Sequence, residues 1–398
     1  MCGVAFMCDL EEEEYYSHQV LSPLQHDTTR HGNRYHRSTK LASLDRTVKV
    51  YNVFEQGYEL VATLQGHEGP VWQVSWAHPK FGVLLASCGF DGSVLIHAQQ
   101  QQQSSSSSTS LSLSQSSTAA SSIPPQQQHP HAQASKTSVR TGATANTTTA
   151  TSTTTTSKNT ESWTLLHAAR RLHESSVNGV AFAPHELGTL MLAAASSDGK
   201  VSILRHEPNH TWTVDYIHDC CPMGVNAVSW APYGASYDPQ RPQEDEIMRL
   251  VTAGCDNSIR FWMYDAGQWQ PDPALLDDSS LRHSDWVRDV AWAPTLLPEQ
   301  NMVASASEDG TVIIWKQSGL GNPWKPTLLH HFDHPVWRLS WSMTGYLLAV
   351  SSGDSDVTLW KQGLDGKWTQ VTTVEEGHAP NTATTTTTAT TSATTTMG

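Results

Sequence analysis

The sequence has no hydrophobic run of the roughly 20 residues that a membrane-spanning helix needs. Its short apolar start at residues 1–8 has no basic residue before it and leads into four consecutive glutamates, which argues against a secretory signal. Charged residues make up only 16% of the chain, and the net charge is −14. Because phosphate contacts require clustered Lys and Arg, this composition argues against a nucleic-acid-binding surface.

Signatures of metal and cofactor sites are also missing. The six cysteines form no C-x-x-C pair and have no His at zinc-site spacing, and the 20 histidines provide no H-E-x-x-H motif. No glycine-rich phosphate loop precedes a helix. We therefore expect no metal, no cofactor, no small-molecule substrate and no catalytic residue. The thiols are expected to stay reduced, as they do in the cytosol or nucleus.

Two segments have too few apolar residues to form a core. Residues 98–161 are almost entirely Gln, Ser, Thr, Ala and Pro, and residues 377–398 are mostly Thr and Ala. Such compositions cannot offset the entropy lost on ordering, so both segments are predicted to be disordered. Positions 99–160 contain three basic residues and no acidic one, so the rest of the chain is more acidic than the net charge suggests.

What the remaining sequence does have is a repeat. A turn that begins with Asp and is followed by alternating apolar residues recurs six times. The turn residues are Asp45, Asp91, Asp198, Asp256, Asp309 and Asp354. Asp-Gly and Asp-Asn provide the positive-φ positions of a tight hairpin, and the alternation after them predicts a strand with one buried face.

Two further strands complete each repeat. Five turns are preceded by a pattern such as VWQVSW at 71–76, and three of these patterns have a His nine residues before their last aromatic. An aromatic opens a fourth strand after each turn unit: Tyr58, Trp163, Trp212, Trp269, Trp324 and Trp368. Four strands per unit, with His near the start and Asp in the last turn, are typical of the WD-repeat blade of a β-propeller. All 15 Trp occupy strand positions of this repeat, so none is left for a special site.

The repeat also locates the first low-complexity segment. The third strand and the fourth-strand aromatic are seven to nine residues apart in five units, whereas His97 and Trp163 are 66 apart. A hairpin loop tolerates such an insertion because the cost of loop closure rises slowly with length. The predicted organisation is an N-terminal extension (1–16), blade one and the first part of blade two (17–97), the insertion (98–161), the end of blade two with blades three to six (162–376), and the tail (377–398).

Two sets of residues look like hydrolase triads with an aromatic beside them. They are His283, Ser305, Asp309 and Trp315, and His218, Thr252, Asp256 and Trp262. A catalytic triad would be expected once, with an exposed nucleophile and an oxyanion hole. Because the set recurs in successive repeats, we interpret both as structural tetrads that tie a blade's turn to its strands.

Several stretches are more specific than a generic blade. They include QGHEGPVWQV at 65–74 followed by WAHP at 76–79, HSDWVRDVAWAP at 283–294, and NAVSWAP at 226–232. Together they resemble the small six-bladed WD-repeat subunit of the COPII outer coat, which is also a scaffold nucleoporin of the Y-complex. The resemblance runs from about residue 40 to 376, apart from the insertion. It fails at the start, where residues 21–40 show no clear first strand and residues 1–16 differ from the family.

The resemblance implies an all-β, open six-bladed propeller that accepts a further blade from a larger WD-repeat and helical-solenoid partner. It implies a non-enzymatic scaffold, peripheral to the membrane through the coat, at the cytoplasmic face of the endoplasmic reticulum and at the nuclear pore. Two alternatives stay open: a paralogous pore or nutrient-signalling scaffold, and a closed WD-repeat adaptor such as a ubiquitin-ligase substrate receptor.

Overall fold

The computed structural model of the protein describes residues 37–42, 44–54, 57–100, 162–236, 247–274, 281–294, 300–353, 356–363 and 365–374. In these ranges the chain forms 23 β-strands and two single-turn 3-10 helices, Pro79–Phe81 and His185–Leu187, with no α-helix. None of the described residues forms a helix that is long and apolar enough to cross a bilayer.

The strands form six antiparallel sheets, each built from strands that follow one another along the chain. Sheet one contains β1 (Arg37–Ala42), β2 (Val48–Phe54) and β3 (Gly57–Leu64). Sheet two contains β4 (Val71–Trp76), β5 (Leu84–Gly89), β6 (Val94–Gln100) and β7 (Ser162–Ala169). Sheet three contains β8 (Val177–Phe182), β9 (Met191–Ser196), β10 (Val201–His206) and β11 (Trp212–Ile217).

The other three sheets repeat the same order. Sheet four contains β12 (Val225–Trp230), β13 (Arg249–Gly254), β14 (Ile259–Asp265) and β15 (Gln268–Pro271). Sheet five contains β16 (Val287–Trp292), β17 (Gln300–Ser307), β18 (Thr311–Ser318) and β19 (Lys325–His331). Sheet six contains β20 (Val336–Trp341), β21 (Leu347–Ser352), β22 (Asp356–Gln362) and β23 (Trp368–Val374).

The sheets pack side by side as blades, and neighbouring blades contact each other through their first strands. β4 packs on β8, β8 on β12, β12 on β16, and β16 on β20, while sheet one packs on sheet two through β1 and β4. In sheet one the described strands fill the second to fourth positions of a blade, and none of them fills the first. The prediction of an all-β, open six-bladed WD-repeat propeller is confirmed.

Both faces of the inner strands are buried between neighbouring blades. On β18, Ile313 and Trp315 pack against sheet four, whereas Val312 and Ile314 pack against sheet six. Because successive side chains of a strand point to opposite faces, burial on both sides requires small or apolar residues in sequence. This explains near-continuous apolar strands such as β9, whose six residues MLAAAS are all buried.

The hairpin turns have the conformation that the repeat predicts. Gly92, Gly199 and Gly310 have φ of +70°, +85° and +77°, and Asn257 has +65° at the equivalent position. A Cβ at Gly310 would lie 2.5 Å from the Phe332 carbonyl oxygen, so this position needs glycine for space as well as for φ.

Two strands flank the predicted insertion. β6 ends at Gln100, three residues past the predicted end of the first folded segment, and β7 begins at Ser162. The segment boundaries stay predictions. The rest of the predicted insertion (101–161), the extension (1–16) and the tail (377–398) lie outside the described residues.

Candidate functional site

The tetrad of sheet five is assembled as a buried chain of hydrogen bonds. Ser305 Oγ on β17 accepts a hydrogen bond from Trp315 Nε1 (2.9 Å) and is hydrogen-bonded to His283 Nε2 (2.7 Å). His283 Nδ1 lies 2.9 Å from Thr311 Oγ1 and 3.5 Å from Asp309 Oδ2. Ser305 is fully buried, so its hydroxyl is out of reach of a substrate. The geometry links the Asp turn to the second and third strands.

Burial acts against a charge on Asp309, but its hydrogen bonds reverse the balance. The Thr311 hydroxyl and backbone N–H donate to Oδ1 (2.6 and 2.8 Å), the backbone N–H of Ser284 donates to Oδ2 at 2.7 Å, and the His283 ring lies beside the carboxylate. These bonds favour the ionised form and hold the pKa of Asp309 well below its usual value. The aspartate therefore stabilises the turn as an anion.

Sheets two and three contain related chains. His67 Nδ1 lies 3.1 Å from Asp91 Oδ2, with Nε2 2.9 Å from Ser87 Oγ. His173 Nδ1 lies 3.0 Å from Asp198 Oδ2, with Nε2 2.8 Å from the hydroxyl of Ser202, which is on the third strand. Burial lowers the pKa of both histidines in spite of the nearby carboxylates, which favours neutral imidazoles.

In sheet four the structure differs from the predicted tetrad. Trp262 Nε1 donates to Thr252 Oγ1 (3.1 Å), as expected, but His218 is not part of the chain. It is exposed at the end of β11 and lines a shallow groove, where its ring lies 5.8 Å from that of Tyr216. Its predicted place is taken by Cys221, a buried residue whose side chain helps to lower the pKa of Asp256. The spacing to the first strand explains this, because Cys221 precedes Val225 by four residues, as His283 precedes Val287.

Without a histidine, Asp256 is held by Arg260. Arg260 NH2 donates to Oδ2 at 2.5 Å and NH1 to Oδ1 at 3.2 Å, and the Ser258 hydroxyl donates to Oδ1 at 2.7 Å. Burial opposes the charge, but these bonds lower the pKa of Asp256 from 3.8 to about 2.

We expect this pKa to make the fold sensitive to acid. Since the folded pKa is below the unfolded one, the contribution of Asp256 to stability is complete above about pH 4 and is lost as the pH falls through about 2. In Asp256→Asn, the free energy of unfolding should therefore change less steeply between pH 4 and 2. Urea unfolding at fixed pH values measures this, with exposed Asp219→Asn as the matched control. Equal slopes for Asp256→Asn and the wild-type chain would contradict the assignment.

The remaining turn aspartates behave differently from one another. Asp45 is exposed, accepts hydrogen bonds from Thr47 N (2.9 Å) and Thr47 Oγ1 (2.6 Å), and lies 3.9 Å from Lys49 Nζ. Asp354 lies outside the described residues. Nowhere in the described ranges do three or more His, Cys, Asp or Glu side chains form a group that could hold a metal ion.

A buried ion pair within sheet four, packed against sheet five, matches no motif of the sequence. Arg249 Nε and NH2 donate to Asp272 Oδ2 at 2.9 and 2.5 Å, and both side chains are essentially inaccessible to solvent. NH2 also donates to Gln317 Oε1 (3.1 Å), and the guanidinium lies 5.2 Å from the ring centroid of Trp292. The partners come from distant parts of the chain, so no local motif indicates them.

Two outward faces are less covered than their equivalents elsewhere. On sheet one, Tyr51 is half-buried and Tyr58 is 51% exposed, with their rings 5.5 Å apart. The residues at the same positions of sheet five, Trp315 and Trp324, are 3% and 0% exposed. We call the face of sheet one that contains Tyr51 and Tyr58 the first outward face.

The second outward face belongs to sheet six. Leu359 and Ser351 point away from sheet five and are half-buried, whereas the equivalent Ile314 and Ala306 are fully buried against the next blade. The two outward faces are the ends of the series of packed blades.

Comparison with known proteins identifies the family. The "WD domain, G-beta repeat" family matches residues 58–97, 279–316 and 325–361. The chain is 35% identical over 366 residues to "Protein SEC13 homolog" of Drosophila melanogaster, covering 88% of this chain and 84% of the relative. It is 38% identical over 367 residues to "Protein transport protein sec13" of Emericella nidulans, covering 90% and 99%. The chain belongs to the Sec13 family.

Membership of the Sec13 family confirms the resemblance drawn from the repeat motifs. A third relative, "Protein transport protein sec13" of Aspergillus fumigatus, is 39% identical over 357 residues and covers 89% of this chain and 96% of its own. The match therefore extends through nearly all of the relatives' length and is not limited to a few repeats.

Proposed function

We propose that this Sec13-family chain is a non-enzymatic scaffold that completes its open propeller with a blade from a larger partner. The observation that carries the proposal is the pair of outward faces, where Tyr51 and Tyr58 on one side and Leu359 on the other remain accessible. A blade added there covers the apolar side chains of both faces in one step.

The partner is proposed to be the larger WD-repeat and helical-solenoid subunit of the COPII outer coat, and the corresponding Y-complex nucleoporin at the nuclear pore. The chain would then work at the cytoplasmic face of the endoplasmic reticulum, in transport to the Golgi, and in the pore scaffold. The names of the relatives from Emericella nidulans and Aspergillus fumigatus, which describe protein transport, support the first of these roles. The buried tetrads support a structural role for the protein rather than a catalytic one.

Affinity purification with mass spectrometry tests the proposal. The wild-type chain should recover a large solenoid protein of the vesicle coat or the pore. In Tyr58→Asp a charge would be buried without a partner when the added blade docks, so recovery should fall at least about tenfold. The matched control is Leu165→Asp on β7, which is 45% exposed but lies on sheet two, and it should keep the partner.

Two results contradict the proposal. One is a wild-type chain that recovers no large solenoid protein from either assembly. The other is a wild-type chain that recovers ubiquitin-ligase subunits as its main partners, as a closed adaptor would.

A further inference from the structure

Side chains on the first strand of one blade bond the backbone of the next blade's first strand. Gln73 Oε1 on β4 accepts a hydrogen bond from Val180 N on β8 (2.6 Å). Asp289 Oδ2 on β16 accepts one from Leu339 N on β20 (2.8 Å). In both cases the acceptor is the third residue of its strand and the donor is the fourth residue of the next. This position therefore faces a backbone N–H of the neighbouring blade.

The same position in sheet six is occupied by Arg338. A bulge precedes it, between Val336 and Arg338, as bulges precede Gln73 and Asp289, so the three residues have the same local geometry. Arg338 is half-buried, and its guanidinium has no hydrogen bond or ion pair with any residue that the structure describes. It lies on β20, the first strand of the last described sheet, beside the position where a further blade would be added.

Arginine at this position changes which group on the next strand can form the hydrogen bond. A guanidinium has only donors, so it cannot bond the backbone N–H that Gln73 and Asp289 accept from. Arg338 instead needs an acceptor on the added strand, and among acceptors a carboxylate fits the planar fork of arginine best in both charge and geometry.

An alternative role for Arg338 is to offset the charge of Asp289. Burial raises the pKa of Asp289, and the charge of Arg338 acts in the opposite direction. However, both carboxylate oxygens of Asp289 already have partners, because Oδ1 accepts from Val290 N (2.9 Å) and Oδ2 from Leu339 N. Arg338 is within electrostatic range of Asp289 but forms no ion pair with it among the described contacts.

We propose that Arg338 anchors the added blade by binding a carboxylate on that blade's innermost strand. This inference rests on the proposed function and specifies the partner: an Asp or Glu on the innermost strand, facing the third residue of β20. The contact is charged and partly buried, so it sets affinity more than it sets the stability of the isolated chain.

The test measures binding of the purified larger solenoid coat subunit from the same organism by isothermal titration calorimetry. Arg338→Gln should weaken binding at least about tenfold, and Arg338→Glu should weaken it further, because it places two carboxylates together. Arg338→Lys should retain part of the affinity. The matched control is Lys361→Gln, which removes an exposed charge from β22 of the same sheet and should bind like the wild-type chain.

The outcomes separate this inference from the proposed function. If the wild-type chain does not bind the subunit at all, the proposed function fails. If it binds and Arg338→Gln binds equally well, only the anchor is refuted. The anchor is also refuted if Arg338→Gln lowers the melting temperature of the isolated chain and Asp289→Asn restores both stability and affinity, since Arg338 then serves Asp289.

Discussion

Asp272→Ala is expected to destabilise the protein by about 3–5 kcal/mol, because it leaves the charge of Arg249 buried without its counter-ion. Arg249 is 1% exposed and is enclosed by Gln317 and the rings of Trp292 and Trp324. Its guanidinium has no route to water without opening the contact between sheets four and five. Urea unfolding of the purified chain measures the loss as a lower midpoint at an unchanged slope.

A second substitution tests whether the unpaired buried charge of Arg249 causes the loss of stability. Arg249→Met in the Asp272→Ala background removes the charge and keeps an apolar chain of similar length, so it should recover much of the lost stability. Asp265→Ala, at an exposed carboxylate of β14, controls for the loss of an acidic side chain and should change stability little. If the double variant is no more stable than Asp272→Ala, the loss comes from packing rather than from charge.

Much of the fold can be predicted from the sequence because its repeat is encoded locally. Each Asp turn, such as Asp309-Gly310, fixes a hairpin, and each two-sided apolar strand, such as β9, has to lie between two other sheets. These signals occur within about ten residues of each other. Repetition then turns six local predictions into one architecture.

The site is less predictable because strand pairing and sheet packing bring its partners together. The residue type favours His218 for the sheet-four tetrad, because the equivalent residue in sheet five is a histidine. The spacing favours Cys221, which has the correct distance to Val225, and the structure agrees with the spacing. The Arg249–Asp272 pair joins residues 23 positions apart, and Gln317 is 68 positions from Arg249. Nothing in a local pattern specifies such a contact, and charged residues of this kind usually lie at the surface.

Ser305→Ala is expected to cost about 2–4 kcal/mol of stability. The Ser305 hydroxyl is bonded to both His283 Nε2 and Trp315 Nε1, and all three groups are buried. Removing it leaves two polar atoms in the core without a partner, each worth about 1–3 kcal/mol. The measurement is again the free energy of unfolding in urea, together with the melting temperature.

Sheet four provides the matched comparison for this prediction. Thr252 Oγ1 accepts from Trp262 Nε1 and donates a long bond to the Arg260 carbonyl oxygen (3.4 Å), but no histidine bonds it. Thr252→Val therefore removes one short hydrogen bond to a buried N–H instead of two. We therefore expect Thr252→Val to cost about half as much as Ser305→Ala. Equal losses would show that the histidine adds nothing to the chain of hydrogen bonds. A hydrolase activity abolished by Ser305→Ala without a loss of stability would contradict the structural interpretation of the tetrads altogether.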